Sequence, residues 1–293
     1  MPLLGLPAGD FKDVAGKIDK IYHSGASVNF SYPYSILRAT NVLGTQEILR
    51  LAAEGGSETE VHHISSLAVF GPDDGGNVQT EASIPARCSA IQIGYAQTKW
   101  VAEQFMVAAR SRGFPVKIYR PGRISGHSET GMGPSSDFFW HLIRACIESA
   151  CVPDVAGSVD LTPVDYVSAA IVRLASEPTP CQNFHLLSPN PVPLHCVFDA
   201  LQISGYRMRQ VSLDEWHYEV EKRALAATHE RWATALFVAL NFQEHLKSIA
   251  VDSSETRRAL DRLGVGCPLI DSAALSRYIQ CFRSNGMFGS DLS

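Results

Sequence analysis

The chain has 293 residues, of which 45% are hydrophobic and 19% are charged, with a formal net charge of -5 at pH 7 and a pI near 6.1. This composition is typical of a globular protein in one large domain or two small ones, and the weak acidic charge argues against nucleic acid as a partner. The longest strongly apolar stretch, 232–240, is too short to cross a bilayer and no signal pattern is present, so we expect a cytoplasmic protein without a membrane partner.

The N-terminal half alternates short apolar runs with helical patterns, which is typical of β-α units around a parallel sheet. The apolar runs predict strands at 18–23, 61–65 and 116–119. Apolar residues at helical intervals predict helices from about 36 to 53 and from about 94 to 112. The first half therefore belongs to the α/β class.

After about residue 151 the chain has shorter helical and strand patterns separated by proline clusters, which indicates a smaller lobe. This lobe is predicted to be mainly helical, with patterns near 194–204, 231–240, 255–263 and 270–283. We therefore predict two domains, 1–152 and 153–293.

Tyr95 and Lys99 are four residues apart in a predicted helix, so the phenol and the ammonium share one face. We expect Lys99 to lower the pKa of Tyr95 from its usual value of about 10, because a cation favours the phenolate. Ser66 lies at the end of the preceding strand, where its hydroxyl could polarise a carbonyl oxygen. Each feature alone also fits a structural role, as a surface pair or a turn cap, but the combination indicates catalysis.

No metal site is expected. The seven cysteines include no C-x-x-C pair and have no histidine partner at metal-ligand spacing. We interpret them as reduced and mostly buried residues.

The order Ser66, Tyr95, Lys99 resembles the Ser/Thr, Tyr, Lys set of short-chain dehydrogenases, and Val69-Phe70-Gly71 is similar to their extended subgroup. Linked motifs across almost the whole chain further resemble thioester reductase domains. Such domains are the terminal domains of nonribosomal peptide synthetases, aminoadipate reductases and carboxylic acid reductases. These motifs are His23 to Phe30, Tyr32 to Tyr34, Asn41 to Thr45, Lys99 to Glu103 and Tyr119 to Gly126.

The resemblance implies an oxidoreductase of secondary metabolism that uses NADPH to release a carrier-bound acyl thioester as an aldehyde or alcohol. Its partner would be an acyl or peptidyl carrier protein with a phosphopantetheine-linked thioester. Ser66 would hydrogen-bond the oxygen that gains charge, Tyr95 would donate the proton, and Lys99 would hold the cofactor ribose. The implied cofactor-binding residues are Gly25, Ala26, Asn41, Tyr95, Lys99, Pro121 and Gly122.

The implied fold is a Rossmann-type parallel sheet. We expect this sheet to lack the strands with which the family's sequence begins. The family opens with a strand, a G-x-x-G-x-x-G turn and a helix that cradle the pyrophosphate, and this sequence contains no such motif. Three hypotheses therefore stay open. The chain is a reductase belonging to a longer protein, a different extended short-chain enzyme such as a sugar-nucleotide epimerase or dehydratase, or a non-catalytic remnant.

Overall fold

A computed structural model of the chain describes residues 1–56, 58–71, 78–85, 88, 91–135, 137–177, 183–226 and 250–289. The described strands are, in chain order, β1 Lys20–His23, β2 Glu60–Ile64, β3 Val116–Pro121, β4 Ile124–Ser125, β5 Cys151–Pro153, β6 Ser158–Val159, β7 Thr162–Pro163, β8 Asn183–Leu186, β9 Val192–Pro193 and β10 Arg209–Val211. The described α-helices are α1 Ala8–Ala15, α2 Tyr34–Arg38, α3 Gly44–Gly55, α4 Gly94–Arg110, α5 Phe138–Ser149, α6 Val164–Ala175, α7 Leu194–Ile203, α8 Leu213–Ala226, α9 Ser254–Arg262 and α10 Ser272–Ser284. The predicted helix at 231–240 lies outside the described residues.

The chain divides into two compact units, each assembled from three segments. The first unit comprises 1–122, 167–187 and 249–266, and the second comprises 123–166, 188–248 and 267–293. The single boundary that the sequence predicts at residue 152 differs from this division. The chain returns to the first unit with most of α6 and with β8, because β8 pairs with β3 far from it in sequence.

The first unit contains a parallel sheet with the strand order β1-β2-β3-β8. The strands are in direct register, with Tyr22 opposite His62 and Ile64 opposite Tyr119. All six residues of β3 are buried, as expected for a central parallel strand that is covered on both faces. The predicted α/β fold with a parallel sheet is confirmed.

The apolar core of the first unit lies between one face of the sheet and helices α1, α3 and α4. Alternate residues of the strands point into this core, and apolar residues of the helices pack against them. The core consists of Phe11, Ala15, Ile21, Leu51, Ala52, Val61, Met106, Ala109, Val116 and Ile118. This packing fixes α4 over the strands whose ends carry the predicted site.

Short strand pairs and helices make up the second unit. β4 pairs with β7 and β10 with β5 in parallel, while β6 and β9 are antiparallel. Trp140 of α5 is fully buried against Phe282 and Phe288, at ring-centroid distances of 4.8 and 6.3 Å. Aromatic packing of this kind buries a large apolar area and holds helices α5 and α10 together. Within the described segments, no helix combines the length and hydropathy needed to cross a membrane.

Candidate active site

The predicted site residues of the first unit lie at one edge of the sheet. Gly25 and Ala26 follow β1, Ser66 follows β2, and Pro121 and Gly122 are at the end of β3. Because the three strands are parallel neighbours, their carboxyl ends meet at the same edge, where ligands of open α/β sheets usually bind.

The two serines at the end of β2 have different partners. Ser65 is buried, and its Oγ donates to Glu103 Oε2 at 2.5 Å. Ser66 is half-buried, and its Oγ accepts a hydrogen bond from the Ala68 amide at 3.1 Å, at the start of a 3₁₀ turn. This capping bond occupies only a lone pair, so the Ser66 hydroxyl can still donate a hydrogen bond to a ligand oxygen.

Lys99 is anchored to the strand that ends near Ser66. Lys99 is 4% exposed, and its ammonium donates to the Ile64 carbonyl oxygen at 2.5 Å. Burial lowers the pKa of Lys99 to about 8, and the carboxylate of Glu103 one helical turn away opposes this change. Lys99 therefore remains mainly charged at pH 7.

Tyr95 lies in the first turn of α4 and is also buried, with its ring centroid 5.3 Å from that of Phe30. Burial raises the pKa of Tyr95 to about 12, because the phenolate would lose its hydration. Our expectation that Lys99 lowers this pKa is wrong for the structure, since desolvation dominates at this position. Tyr95 is thus held in its protonated, proton-donating form.

Asn41 connects the loop after β1 to α4. It lies in a π-helical turn, Ala39–Leu43, between α2 and α3, and such turns often occur at functional sites. Its Oδ1 accepts from the Ser27 amide at 2.7 Å, and its Nδ2 donates to the Ser27 carbonyl and to Thr98 Oγ1 at 3.0 and 2.9 Å. Thr98 in turn donates to the Tyr95 carbonyl at 2.7 Å. Asn41 therefore fixes the segment after Gly25 and Ala26 against the helix that carries Tyr95.

The residues at this edge fit the ribose and nicotinamide part of a bound cofactor. Of the three N–H groups of the Lys99 ammonium, the described residues provide an acceptor for one, which leaves two for ribose hydroxyls. A Cβ placed on Gly25 would meet only the His23 ring, at 3.8 Å, so the backbone there faces open space that a ligand could approach. Gly122 donates its amide to the Leu186 carbonyl at 2.8 Å, which holds the loop after Pro121 on the sheet.

Sequence reasoning missed two features next to these residues. Glu103 continues the spacing of four after Lys99 and forms a buried ion pair with Arg120, at 2.7 Å between Oε1 and Nη2. Its position in a Tyr-x₃-Lys-x₃-Glu series could have indicated a role. Gly94 allows the Tyr32–Tyr34 segment to lie against the start of α4, because a Cβ there would be only 2.5 Å from the Tyr32 oxygen. No group of three or more metal-ligating side chains occurs among the residues that the structure describes.

A family model with the description "Male sterility protein", of the NAD-binding type, matches residues 1–171. The chain belongs to this family. A linear gramicidin synthase protein of Brevibacillus parabrevis is 36% identical over 290 residues, covering 97% of the chain and 6% of that synthase protein. The glycine betaine reductase ATRR of Emericella nidulans is 41% identical over 216 residues, covering 72% of the chain and 17% of the reductase. The chain thus spans less than a fifth of either relative.

The crystal structure of the terminal R domain from the myxalamid PKS-NRPS biosynthetic pathway is similar to the whole chain. Its TM-score is 0.88 at 36% sequence identity, covering 99% of the chain and 74% of that domain. The predicted likeness to the terminal reductases of peptide synthetases and the Rossmann-type fold class are therefore confirmed, and the family supports a nicotinamide cofactor.

Proposed function

We propose that this chain catalyses the NADPH-dependent reductive release of a carrier-bound acyl thioester as an aldehyde or alcohol. The observation that carries the proposal is the bond from Lys99 to the Ile64 carbonyl, since it fixes the Tyr95 and Lys99 face of α4 beside the strand end that bears Ser66. The family and the reductase names of its relatives support the same class of chemistry.

Each residue has a defined task in this proposal. The bound cofactor supplies the hydride. Ser66 donates a hydrogen bond to the substrate oxygen as negative charge develops there, and Tyr95 transfers its phenolic proton to that oxygen. Lys99 binds the ribose hydroxyls and stabilises the phenolate that Tyr95 becomes.

The remaining predicted residues bind rather than react. Gly25 and Ala26 present backbone without bulky side chains, and Asn41 holds that backbone in place through its two bonds to Ser27. Pro121 ends β3 beside Ser66 and Gly122 follows it, and both would contact the nicotinamide of a bound cofactor. No residue is assigned to recognition of the carrier protein.

The names of the relatives support a carrier protein as the partner of this chain. One relative is named a linear gramicidin synthase and the other is a terminal R domain of a PKS-NRPS biosynthetic pathway, and both names support a carrier-bound thioester as the substrate of this chain. A phosphopantetheine-linked acyl chain is therefore the substrate class that we propose.

The test measures oxidation of NADPH, and of NADH in parallel, by the purified protein with an acyl-pantetheine thioester and with an aldehyde. Conversion of a sugar nucleotide is followed separately, by product formation in the presence of NAD⁺. Tyr95→Phe removes only the phenolic oxygen, and we expect turnover to fall by about 10²- to 10⁴-fold while cofactor affinity changes little. Tyr218→Phe is the matched control, because Tyr218 is 61% exposed in the second unit and should react like the wild type.

Full activity in Tyr95→Phe would contradict the assigned proton donor. Turnover of sugar nucleotides but not of thioesters would favour the epimerase alternative. Absence of turnover with every substrate and both cofactors would contradict the proposal that this chain is itself catalytic.

A further inference from the structure

A buried ion pair joins α4 and β3, the two elements that carry Tyr95, Lys99 and Pro121. Glu103 of α4 is 0% exposed and Arg120 of β3 is 1% exposed. Arg120 Nη2 and Nε donate to Glu103 Oε1 at 2.7 and 3.1 Å, and Nε is also 3.3 Å from Oε2. This two-pronged arrangement constrains orientation as well as distance.

Further bonds extend this pair across the first unit. Ser65 Oγ donates to Glu103 Oε2 at 2.5 Å, while Arg120 Nη1 is 3.2 Å from His185 Nε2 on β8. His185 Nδ1 in turn bonds to the Asp252 carbonyl at 2.9 Å, so its proton lies on Nδ1 and Nε2 accepts from the guanidinium. The guanidinium also lies over the Phe70 ring, 4.9 Å from its centroid.

Three members of this cluster, Ser65, Arg120 and Glu103, lie close to a residue of the proposed site. Ser65 immediately precedes Ser66, and Arg120 immediately precedes Pro121. Glu103 is one helical turn beyond Lys99 on the same face of α4. The cluster therefore joins three separate elements at the points from which the site residues project.

Stability alone is a poor explanation for such a pair. The cost of removing two charges from water offsets most of their attraction, and an apolar pair of similar volume is often equally stable. A buried pair instead fixes one arrangement, since any displacement leaves a charge without its partner.

We propose that Glu103 and Arg120 are positioning residues of the reductase site. They fix the positions of Ser66, of Pro121 and of the α4 face that carries Tyr95 and Lys99, and Glu103 maintains the charge of Lys99. The proposal rests on the proposed function.

The ionisable groups around Lys99 explain why Glu103 maintains its charge. His23 and His63 approach it from β1 and β2, and burial lowers the pKa of both rings, so both are neutral at pH 7. Tyr95 on the same helix is also neutral there. Among the described residues, Glu103 is the anion that raises the pKa of Lys99.

The experiment replaces Glu103 with glutamine, which keeps the shape and removes the charge. Titration of the Lys99 Nζ by NMR in lysine-labelled protein gives its pKa without turnover, and the signal is assigned by its loss in Lys99→Arg. We expect the pKa to fall by about one unit in Glu103→Gln. The alkaline limb of the kcat/KM profile should move to lower pH by a similar amount, with kcat about ten- to a hundredfold lower.

Two controls separate positioning from folding. Glu148→Gln removes the carboxylate of another ion pair, 3.7 Å from Arg144 in the second unit, and should leave the Lys99 titration unchanged. The double variant Glu103→Gln with Arg120→Met removes both charges, so it should be more stable than Glu103→Gln alone yet keep the lowered pKa.

An unchanged Lys99 pKa and pH profile, in whichever of the two Glu103 variants is folded, would overturn the inference. The failure of the proposed function is a different result, because wild-type protein would then lack turnover while the NMR titration could still be measured. A lowered pKa with reduced kcat supports the inference.

Discussion

The replacement of Gly94 by alanine tests how closely the Tyr32–Tyr34 segment must approach the catalytic helix. The added Cβ would lie 2.5 Å from both the Tyr32 oxygen and the Tyr34 nitrogen and 2.7 Å from the Pro33 carbonyl carbon. All three are backbone atoms, which cannot rotate out of the way. The segment must therefore move by about 1 Å to restore ordinary contact distances.

The energetic consequence has two opposing parts. Alanine within a helix is favoured over glycine by about 1 kcal/mol, whereas overpacking of this kind costs about 1–3 kcal/mol or more. We expect Gly94→Ala to lower the free energy of unfolding by about 1–2 kcal/mol, because a backbone clash is relieved only by displacement of the whole segment. The same displacement moves Phe30 relative to Tyr95, and we expect kcat to fall by up to about 100-fold.

Urea denaturation followed by fluorescence measures the first effect, and NADPH oxidation measures the second. Gly44→Ala is the matched control, since Gly44 begins α3 and a Cβ there would meet nothing within 4 Å. The control should be as stable as the wild type or slightly more stable. If Gly94→Ala proves no less stable than Gly44→Ala, the close approach at Gly94 does not exist in solution and the reasoning fails.

Three other side chains give predictions for the same protein. Ser66→Ala should lower kcat by about 10²- to 10³-fold with little change in stability, and an unchanged kcat would exclude the donor role. Lys117 donates to the Leu174, Ala175 and Glu177 carbonyls at 2.8, 3.3 and 2.7 Å. Lys117→Met should therefore lower the free energy of unfolding, measured by urea denaturation, by about 2–3 kcal/mol. Lys12→Met, at an exposed site, should leave the free energy of unfolding almost unchanged. Burial lowers the pKa of His23 to about 4, so the unfolded chain takes up a proton on this ring at a higher pH than the folded chain does. His23 should therefore contribute a decrease of roughly 2–3 kcal/mol in the free energy of unfolding as the pH falls from 6.5 to 4, and His23→Gln should remove that contribution.

Local patterns were enough to predict the elements that carry the site. The apolar run at 116–119 and the helical pattern from residue 94 correspond to β3 and α4, because both are buried elements with a clear periodicity. β8 was not predicted as part of the sheet. Its four residues follow a proline cluster, and only its pairing with β3 some sixty residues earlier in the chain makes it a strand.

The site shows the same division between local and non-local information. The spacing of Tyr95 and Lys99 is a property of one helix, so the sequence predicts their shared face. The π-helical turn at Asn41 and the ion pair between Glu103 and Arg120 depend on neighbouring elements, and no local pattern specifies them. Burial is also set by the whole fold, which explains why the direction of the Tyr95 pKa change could not be predicted from the Lys99 spacing.

The raised pKa of Tyr95 bears directly on the proton-donor role that we propose for it. A general acid must be protonated before it reacts, and a pKa of about 12 keeps Tyr95 in that form throughout the neutral range. An alkoxide formed by reduction is a stronger base than this phenolate, so proton transfer from Tyr95 is favourable once hydride has been delivered. The described environment of Tyr95 therefore keeps it ready to donate a proton at neutral pH, and in the proposed mechanism Lys99 would stabilise the phenolate as it forms.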